Sequence, residues 1–455
     1  MRNKVISTKK LFFPLQIIVI YLVFTLILYA LGPFAWPTHH PIEFYLLNML
    51  YIGMFGLGWY IGIKYTHAYS DVYSARIQYR LLNNLPFFLV CNLCVEFINI
   101  FRNFGYSNLD LYSLIMDCVY GIKNMGNAYN LAVIRIAELS GKDVIGGWLM
   151  TGLNIIWGFV SFPLLLFGIF YYRQLRCTSK VIIILHTLLI FVSYMAIGTN
   201  IGVFRLILAI IVFYWIKITQ KSIVYRKKHS PKFFMLVLLG IIFMSILFMH
   251  IMQSRGGILS WDSSSYNIGG IKLDMDSLFF YFLPESLYMM LVAASSYLTQ
   301  GYYGMSLCLS IEWLPTFGLG SSMAIIKKLS EYASDTIQRR TYQFRLTSLG
   351  WEEDIRWHTM YSWIANDTSF LGVIIIMFFI GLLFAMAYKD SIISNNPYAH
   401  IVVYYFALMA FFIPCNNQLF QSIYIMFSFI FMIFCWLITR GRTKLCLCKR
   451  SKDCG

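Results

Sequence analysis

His358 and the arginines around it are the residues of this chain best suited to chemistry. His358 stands in Trp357-His358-Thr359 and is the one histidine between residues 253 and 369. An imidazole with a free pKa of about 6.5 can take a proton from a hydroxyl near neutral pH. The other reading is a packing or interfacial histidine. Arg339, Arg340, Arg345 and Arg356, with Lys327 and Lys328, form a basic group in the same region. A guanidinium forks onto a phosphate through two parallel hydrogen bonds, so several together suit a diphosphate. The competing reading is a solvated face balanced by Glu331, Asp335, Glu352, Glu353 and Asp354. Asp367 and Glu353 are the carboxylates that would orient His358 or replace it as base. The remaining carboxylates Asp262, Asp274, Asp276 and Glu285 fit no metal loop by spacing, and neither a metal nor another cofactor is expected.

Two further arginines lie outside this group. Arg205 sits about one turn into the apolar run Ile201-Gly-Val-Phe-Arg-Leu-Ile-Leu. A charge at mid-span costs roughly 2.5–3.5 kcal/mol on insertion scales, which marks an intramembrane site or a side chain snorkelling to the headgroups. Arg255 precedes Gly256-Gly257, where the backbone can approach an anion closely; the alternative is a headgroup-binding span exit. Aromatic rings stack on the C–H faces of sugars, and interfacial belts favour the same residue types. Tyr302, Tyr303, Trp357 and Trp363 are the candidate substrate contacts among them.

The elements that must position these residues follow from composition. Of 455 residues, 59% are hydrophobic and 12% charged, too few polar groups to cover a soluble domain. Repeated apolar runs of roughly 18–22 residues point to an all-α polytopic integral membrane protein, and continuous runs rather than alternation exclude a barrel. Spans are expected near 11–31, 43–63, 84–101, 148–171, 181–198, 201–218, 233–252, 370–388, 399–415 and 420–438, about ten in one transmembrane domain. Basic clusters such as Arg226-Lys227-Lys228 and Arg440-Gly441-Arg442 then put both termini on the cytoplasmic side. Segments 102–147 and 253–369 become outward loops. Within the first, residues 124–141 suit an interfacial helix. Within the second, the apolar stretch Glu285–Ile311 reads as re-entrant or interfacial, since a full crossing would put the basic C-terminus outside. The net charge of +16 is accounted for by these flanking lysines and arginines, so no nucleic-acid partner is expected. The apolar run after Lys10 reads as an uncleaved first span, and the ten cysteines form no zinc or disulfide framework.

The stretches Tyr297-Leu-Thr-Gln-Gly-Tyr-Tyr-Gly-Met-Ser-Leu-Cys-Leu, Pro315-Thr-Phe-Gly-Leu-Gly-Ser-Ser and Trp357-His-Thr through Trp363-Ile-Ala-Asn-Asp367 to Gly372 resemble the O-antigen polymerases, the Wzy-type oligosaccharide repeat-unit polymerases. The motifs cover about 297–372, and the span layout with a large late periplasmic loop agrees over most of the chain. The resemblance implies a multi-span glycosyltransferase similar to the O-antigen ligases, with a GT-C-like fold, in the bacterial inner membrane. Its substrates would be undecaprenyl-diphosphate-linked oligosaccharides, donor and acceptor both, joined at the periplasmic face. Membrane lipids and a chain-length regulator are the other implied partners. By position the resemblance implies diphosphate-binding roles for Arg205 and Arg255 and a catalytic role for His358. Arg339 fits an R-x10-G pattern with Gly350, and Arg339 or Arg340 would join the diphosphate site. The alternatives are an O-antigen ligase acting on lipid A-core and a flippase for lipid-linked oligosaccharides.

Overall fold

The computed structural model describes residues 8–65, 71–103, 106, 108–138, 152–154, 156–225, 231–256, 267–274 and 277–452. Nearly all of these residues are helical. Among them, eight helices are long and apolar enough to cross a membrane. In a bilayer the helix satisfies every backbone group internally, which is why the apolar runs take this form. The chain is thus an all-α, multi-pass membrane protein.

Two of the ten expected spans are shorter than expected. Around 148–171 the longest described helix is Ser161–Tyr171, 11 residues, and residues 148–151 and 155 lie outside the described ones. In place of 399–415 stands Pro397–Phe412, 16 residues. At 1.5 Å per residue that helix reaches only about 24 Å, short of a ~30 Å hydrocarbon core. The expected outward loops are themselves helical. Segment 102–147 holds Leu111–Lys123 and Met125–Glu138, and segment 253–369 contains the 24-residue helix Glu285–Cys308 and several short ones.

Numbered along the chain, the helices are α1 (Thr8–Leu31), α2 (Pro41–Tyr65), α3 (Asp71–Asn103), α4 (Leu111–Lys123), α5 (Met125–Glu138), α6 (Ser161–Tyr171), α7 (Cys177–Ala196), α8 (Ile201–Tyr225) and α9 (Pro231–Gly256). After a two-stranded hairpin, β1 (Asn267–Ile268) and β2 (Ile271–Lys272), come α10 (Leu278–Phe282), α11 (Glu285–Cys308), α12 (Met323–Tyr332), α13 (Thr336–Arg340) and α14 (Tyr342–Leu346). The chain ends with α15 (Met360–Lys389), a π turn at Asp390–Ser394, α16 (Pro397–Phe412) and α17 (Ile423–Lys452).

Contacts divide the chain into two compact units. The first comprises 1–68, 258–390 and 405–426; the second comprises 69–257, 391–404 and 427–455. Two of the boundaries fall inside helices, since α16 and α17 each pass from one unit to the other.

In the first unit α2 packs closely on α15. Gly58 and Gly62, one turn apart, let the backbones meet: a Cβ at Gly58 would lie 2.0 Å from the Phe378 carbonyl oxygen, and one at Gly62 2.7 Å from the Ala385 Cβ. Small residues at such a seam replace the hydrophobic drive that lipid removes. α15 starts at Met360, ten residues before the expected span. Thr359 caps it, its hydroxyl accepting from Ser362 N at 3.1 Å. The helix breaks at Ser369, where φ is +61°, so the expected start at 370 marks the break rather than the beginning. In the second unit α3, α4, α7 and α9 enclose a core that includes Phe101, Leu114, Met195 and Ile251.

Candidate active site

The first unit gathers the three stretches that carry the family resemblance. α11 presents Gly301 and Gly304 to the extended segment Trp357–Thr359. A Cβ at Gly304 would sit 3.3 Å from His358 Nδ1 and the Trp357 carbonyl oxygen, so glycine is what lets the segment lie this close. Gln300 Oε1 accepts from Trp357 N at 3.3 Å, and Trp351 Nε1 donates to the Trp357 carbonyl at 3.3 Å. Trp357 is therefore pinned through its backbone on both sides, while its half-buried ring lies 5.5 Å from Tyr297.

His358 follows, 2% exposed. Neither ring nitrogen has a hydrogen-bond partner among the described residues. Trp363 lies edge-on at 6.2 Å, and its own buried indole N–H has no hydrogen-bond partner among the described residues. Burial pushes the imidazole pKa down to about 3, so the ring is neutral at physiological pH. An unpartnered buried polar group costs free energy, and such groups concentrate where function requires them.

Asp367, nine positions later in α15, is the opposite case. Its carboxylate accepts from Thr316 Oγ1 (2.5 Å), Gly318 N (2.8 Å), Gly320 N (3.0 Å), Ser321 N (2.8 Å) and Ser321 Oγ (2.5 Å). Five donors on two oxygens use the acceptor capacity of the group. The turn Gly318-Leu-Gly320-Ser-Ser thus wraps a carboxylate of its own chain, with Phe317 at φ +56° and Gly318 at φ +86° forming the bend. Asn366 ties in the next layer. Its Nδ2 donates to the Gly320 carbonyl (2.9 Å) and to Gln343 Oε1 (2.8 Å), and its Oδ1 accepts from Tyr342 N (2.9 Å). Asn366 and Asp367 therefore fold the loop 313–322 and the start of α14 onto α15. The sequence signal for this was the Asn366-Asp367 pair beside a Gly-x-Gly turn. What that signal could not supply was the pairing across some fifty residues.

Neither expected carboxylate orients His358. Asp367 is committed to the loop. Glu353 accepts from Gln338 Nε2 at 3.0 Å, and burial raises its carboxyl above the usual range. The arginines divide similarly. Arg339 pairs with Asp335 at 2.7 Å on the exposed α13. Arg340 donates to the Pro315 carbonyl at 3.1 Å and lies 5.6 Å from the Phe317 ring, beside the Asp367 loop. Arg345 donates to the Glu312 carbonyl at 2.7 Å. Arg356 is different: its guanidinium rests 5.7 Å from the Trp351 ring, and its buried Nε has no hydrogen-bond partner among the described residues. It stands two residues from His358, and unlike the other three it has no carbonyl or carboxylate partner among the described residues.

Of the four candidate substrate contacts, two are as buried as His358. Tyr302 is 1% exposed, its hydroxyl 3.0 Å from Thr25 Oγ1 and its ring edge-on to Tyr29 and Phe44. Trp363 is buried beside His358. Tyr303 and Trp357 remain half-exposed. Tyr303 stacks on Trp36 at 5.5 Å and meets Trp351 edge-on at 5.0 Å. Trp36, from the α1–α2 connection, is a neighbour that its place in sequence gave no reason to suspect.

Arg205 and Arg255 belong to the second unit. Arg205 is half-buried in the second turn of α8. Arg255 lies in the last turn of α9, and its side chain is outside the described ones. The same holds for Glu285, while Asp262 and Asp276 lie wholly outside the described residues.

Compared with family models, curated proteins and solved structures, the chain matches none.

Proposed function

We propose that this protein is a membrane glycosyltransferase that polymerises undecaprenyl-diphosphate-linked oligosaccharide repeat units into O-antigen or a related surface polysaccharide. The observation that carries this reading is that three separated motif stretches, 297–308, 315–322 and 357–372, pack together in one unit: the first lies against the segment of His358, whose buried ring has no hydrogen-bond partner among the described residues, and the second wraps Asp367. Stretches that merely resemble a family by chance have no reason to pack against one another. On this reading the enzyme sits in the bacterial inner membrane with both termini cytoplasmic and the site at the periplasmic face.

The reaction balances simply. An acceptor hydroxyl oxygen bonds to the donor's anomeric carbon, the bond from that carbon to the diphosphate breaks, and the diphosphate leaves with the electron pair. His358, neutral beforehand, takes the hydroxyl proton. The imidazolium it becomes is then stabilised by the negative diphosphate, a partner that the resting chain does not provide. The arginines of the first unit serve the leaving group: Arg339 or Arg340 by the resemblance, and Arg356 by its unpartnered Nε. Their attraction grows as charge builds on the diphosphate, which is the interaction that accelerates the step. Asp367 has a structural part, holding the loop that carries Arg340's carbonyl partner.

Deleting the gene in its source strain and resolving the surface glycan on a gel tests the reading. Collapse of a ladder to core bearing one repeat unit is the expected result. Core with no repeat, or an unchanged ladder, would refute the polymerase assignment.

A further inference from the structure

Segment 102–147, expected as an outward loop with an interfacial helix near 124–141, holds two helices with the surroundings of a lipid-embedded element. α4 turns Leu114, Cys118 and Gly121 inward, spaced by four and three residues along one face. Gly121 presses on α7: a Cβ there would lie 1.9 Å from the Met195 carbonyl oxygen. Leu189 and Val192 of α7 pack against the same cluster, and α7 is one of the eight helices able to span. The opposite face of α4 exposes Tyr112, Ile115, Met116 and Val119, and α5 exposes Leu131 and Ile134.

The joint between the two helices points the same way. The chain breaks at Asn124, which leaves carbonyls at the end of α4 and N–H groups at the start of α5. Water would ordinarily satisfy these groups, and in hydrocarbon they need protein partners. α9 supplies them. The ring of His250 hydrogen-bonds the Ile122 carbonyl through Nε2, and Ser254 Oγ accepts from Gly126 N at 3.1 Å. One charge pair joins the two helices. Arg135 meets Asp117 at 2.8 Å and lies 4.5 Å over the Tyr106 ring, and the Tyr106 hydroxyl donates to Asp117 at 2.6 Å. α5 packs on α9, a spanning helix with very little of its length buried inside the protein and with Ile246 66% exposed. The apolar face of α4 and α5 thus continues a surface that already faces lipid.

We infer that α4 and α5 form a broken helical hairpin seated in the acyl layer of the bilayer, with lipid chains as the partner of its outward face. The test uses the unmodified full chain in lipid nanodiscs containing a phospholipid with a photoreactive diazirine on its acyl chain. Hydroxyl-radical oxidation is run in parallel, and both are mapped by peptide mass spectrometry. Acyl adducts on Ile115, Met116, Val119, Leu131 and Ile134 at the yield found on Ile246 are expected, together with suppressed oxidation of Tyr112 and Met116. Oxidation of these residues without acyl adducts would show a water-facing loop and overturn the inference. Protection from both reagents would overturn it too, because a second copy or another protein would then cover the face.

Discussion

Two buried histidines in this chain have opposite surroundings. His400, in the second unit, is fully buried, with Nδ1 2.7 Å from Ser391 Oγ and Nε2 3.1 Å from Asn395 Oδ1. Asn395 Oδ1 also accepts from Gln220 Nε2, so it is an acceptor; His400 must then donate from Nε2, leaving Nδ1 to accept from Ser391. The ring stacks on Phe170 at 4.0 Å. Every polar atom of His400 is used, and its role is to hold the π turn to α16 and α8. His358 is nearly as buried and has no hydrogen-bond partner among the described residues. Burial alone therefore does not distinguish these two histidines; satisfaction of the ring does.

Substitution should separate the two most sharply in activity. His358→Phe is predicted to lower polymer formation by at least about 100-fold, the low end for loss of a general base. His400→Phe should leave the rate per folded molecule unchanged. Assay of purified variants at equal folded concentration checks this, and a polymerising His358→Phe would erase the distinction.

Asp367 extends the comparison, since it is saturated like His400 but lies in the candidate site. Asp367→Asn turns an amide N–H₂ toward donors and should cost about 2–4 kcal/mol, as expected when charge-assisted hydrogen bonds are lost and buried donors are left unpaired. Proteolysis within 315–322 should speed up in parallel, and an unchanged cleavage rate would mean that the carboxylate does not hold the loop.

Stability should move in opposite directions for the two histidines. Removing the unpartnered His358 ring nitrogens with Phe is predicted to stabilise the protein by roughly 1–3 kcal/mol, whereas His400→Phe strands the Ser391 hydroxyl and costs a similar amount. Thermal unfolding in one detergent reads both signs. A drop for both variants would show that His358 has partners in solution.

The same burial predicts a pH dependence. His358 is neutral in the folded chain down to about pH 3, while an unfolded histidine binds a proton below about 6.5. Folded stability should therefore fall as pH drops from about 6.5 towards 3, by up to ~1.4 kcal/mol per pH unit from this residue. The difference in midpoint between wild type and His358→Phe, measured across that range, isolates the contribution. A constant difference would contradict the depressed pKa.

Much of the fold was legible in the sequence because long apolar runs have one solution in a bilayer. Eight of the ten expected spans coincide with helices able to cross. Where the reading departed, the cause was local. The expected start at 370 fell on the Ser369 break, since polar Asn366 and Asp367 lower the hydropathy of a helix that Thr359 had already begun. α4 was missed because Asp117 looks like an aqueous charge until Arg135 is seen beside it. In the candidate site the residue types were legible and their partners were not. Asp367 and His358 are both credible catalytic residues by type, and only contacts from Thr316, Gly318, Gly320 and Ser321, distant in sequence, show one to be committed. Arg356 was one of a group of like arginines, and its uncommitted donors became visible only when the carbonyl and carboxylate partners of Arg339, Arg340 and Arg345 were known.

The most direct test is polymerisation in vitro. Wild-type protein and His358→Phe are reconstituted in lipid, supplied with polyprenyl-diphosphate-linked repeat unit from the source strain, and the products sized on a gel. A ladder from the wild type and none from His358→Phe, with the variant unfolding at the higher temperature, is the predicted result. A ladder from both would remove His358 from the reaction, and none from either would contradict the polymerase assignment itself.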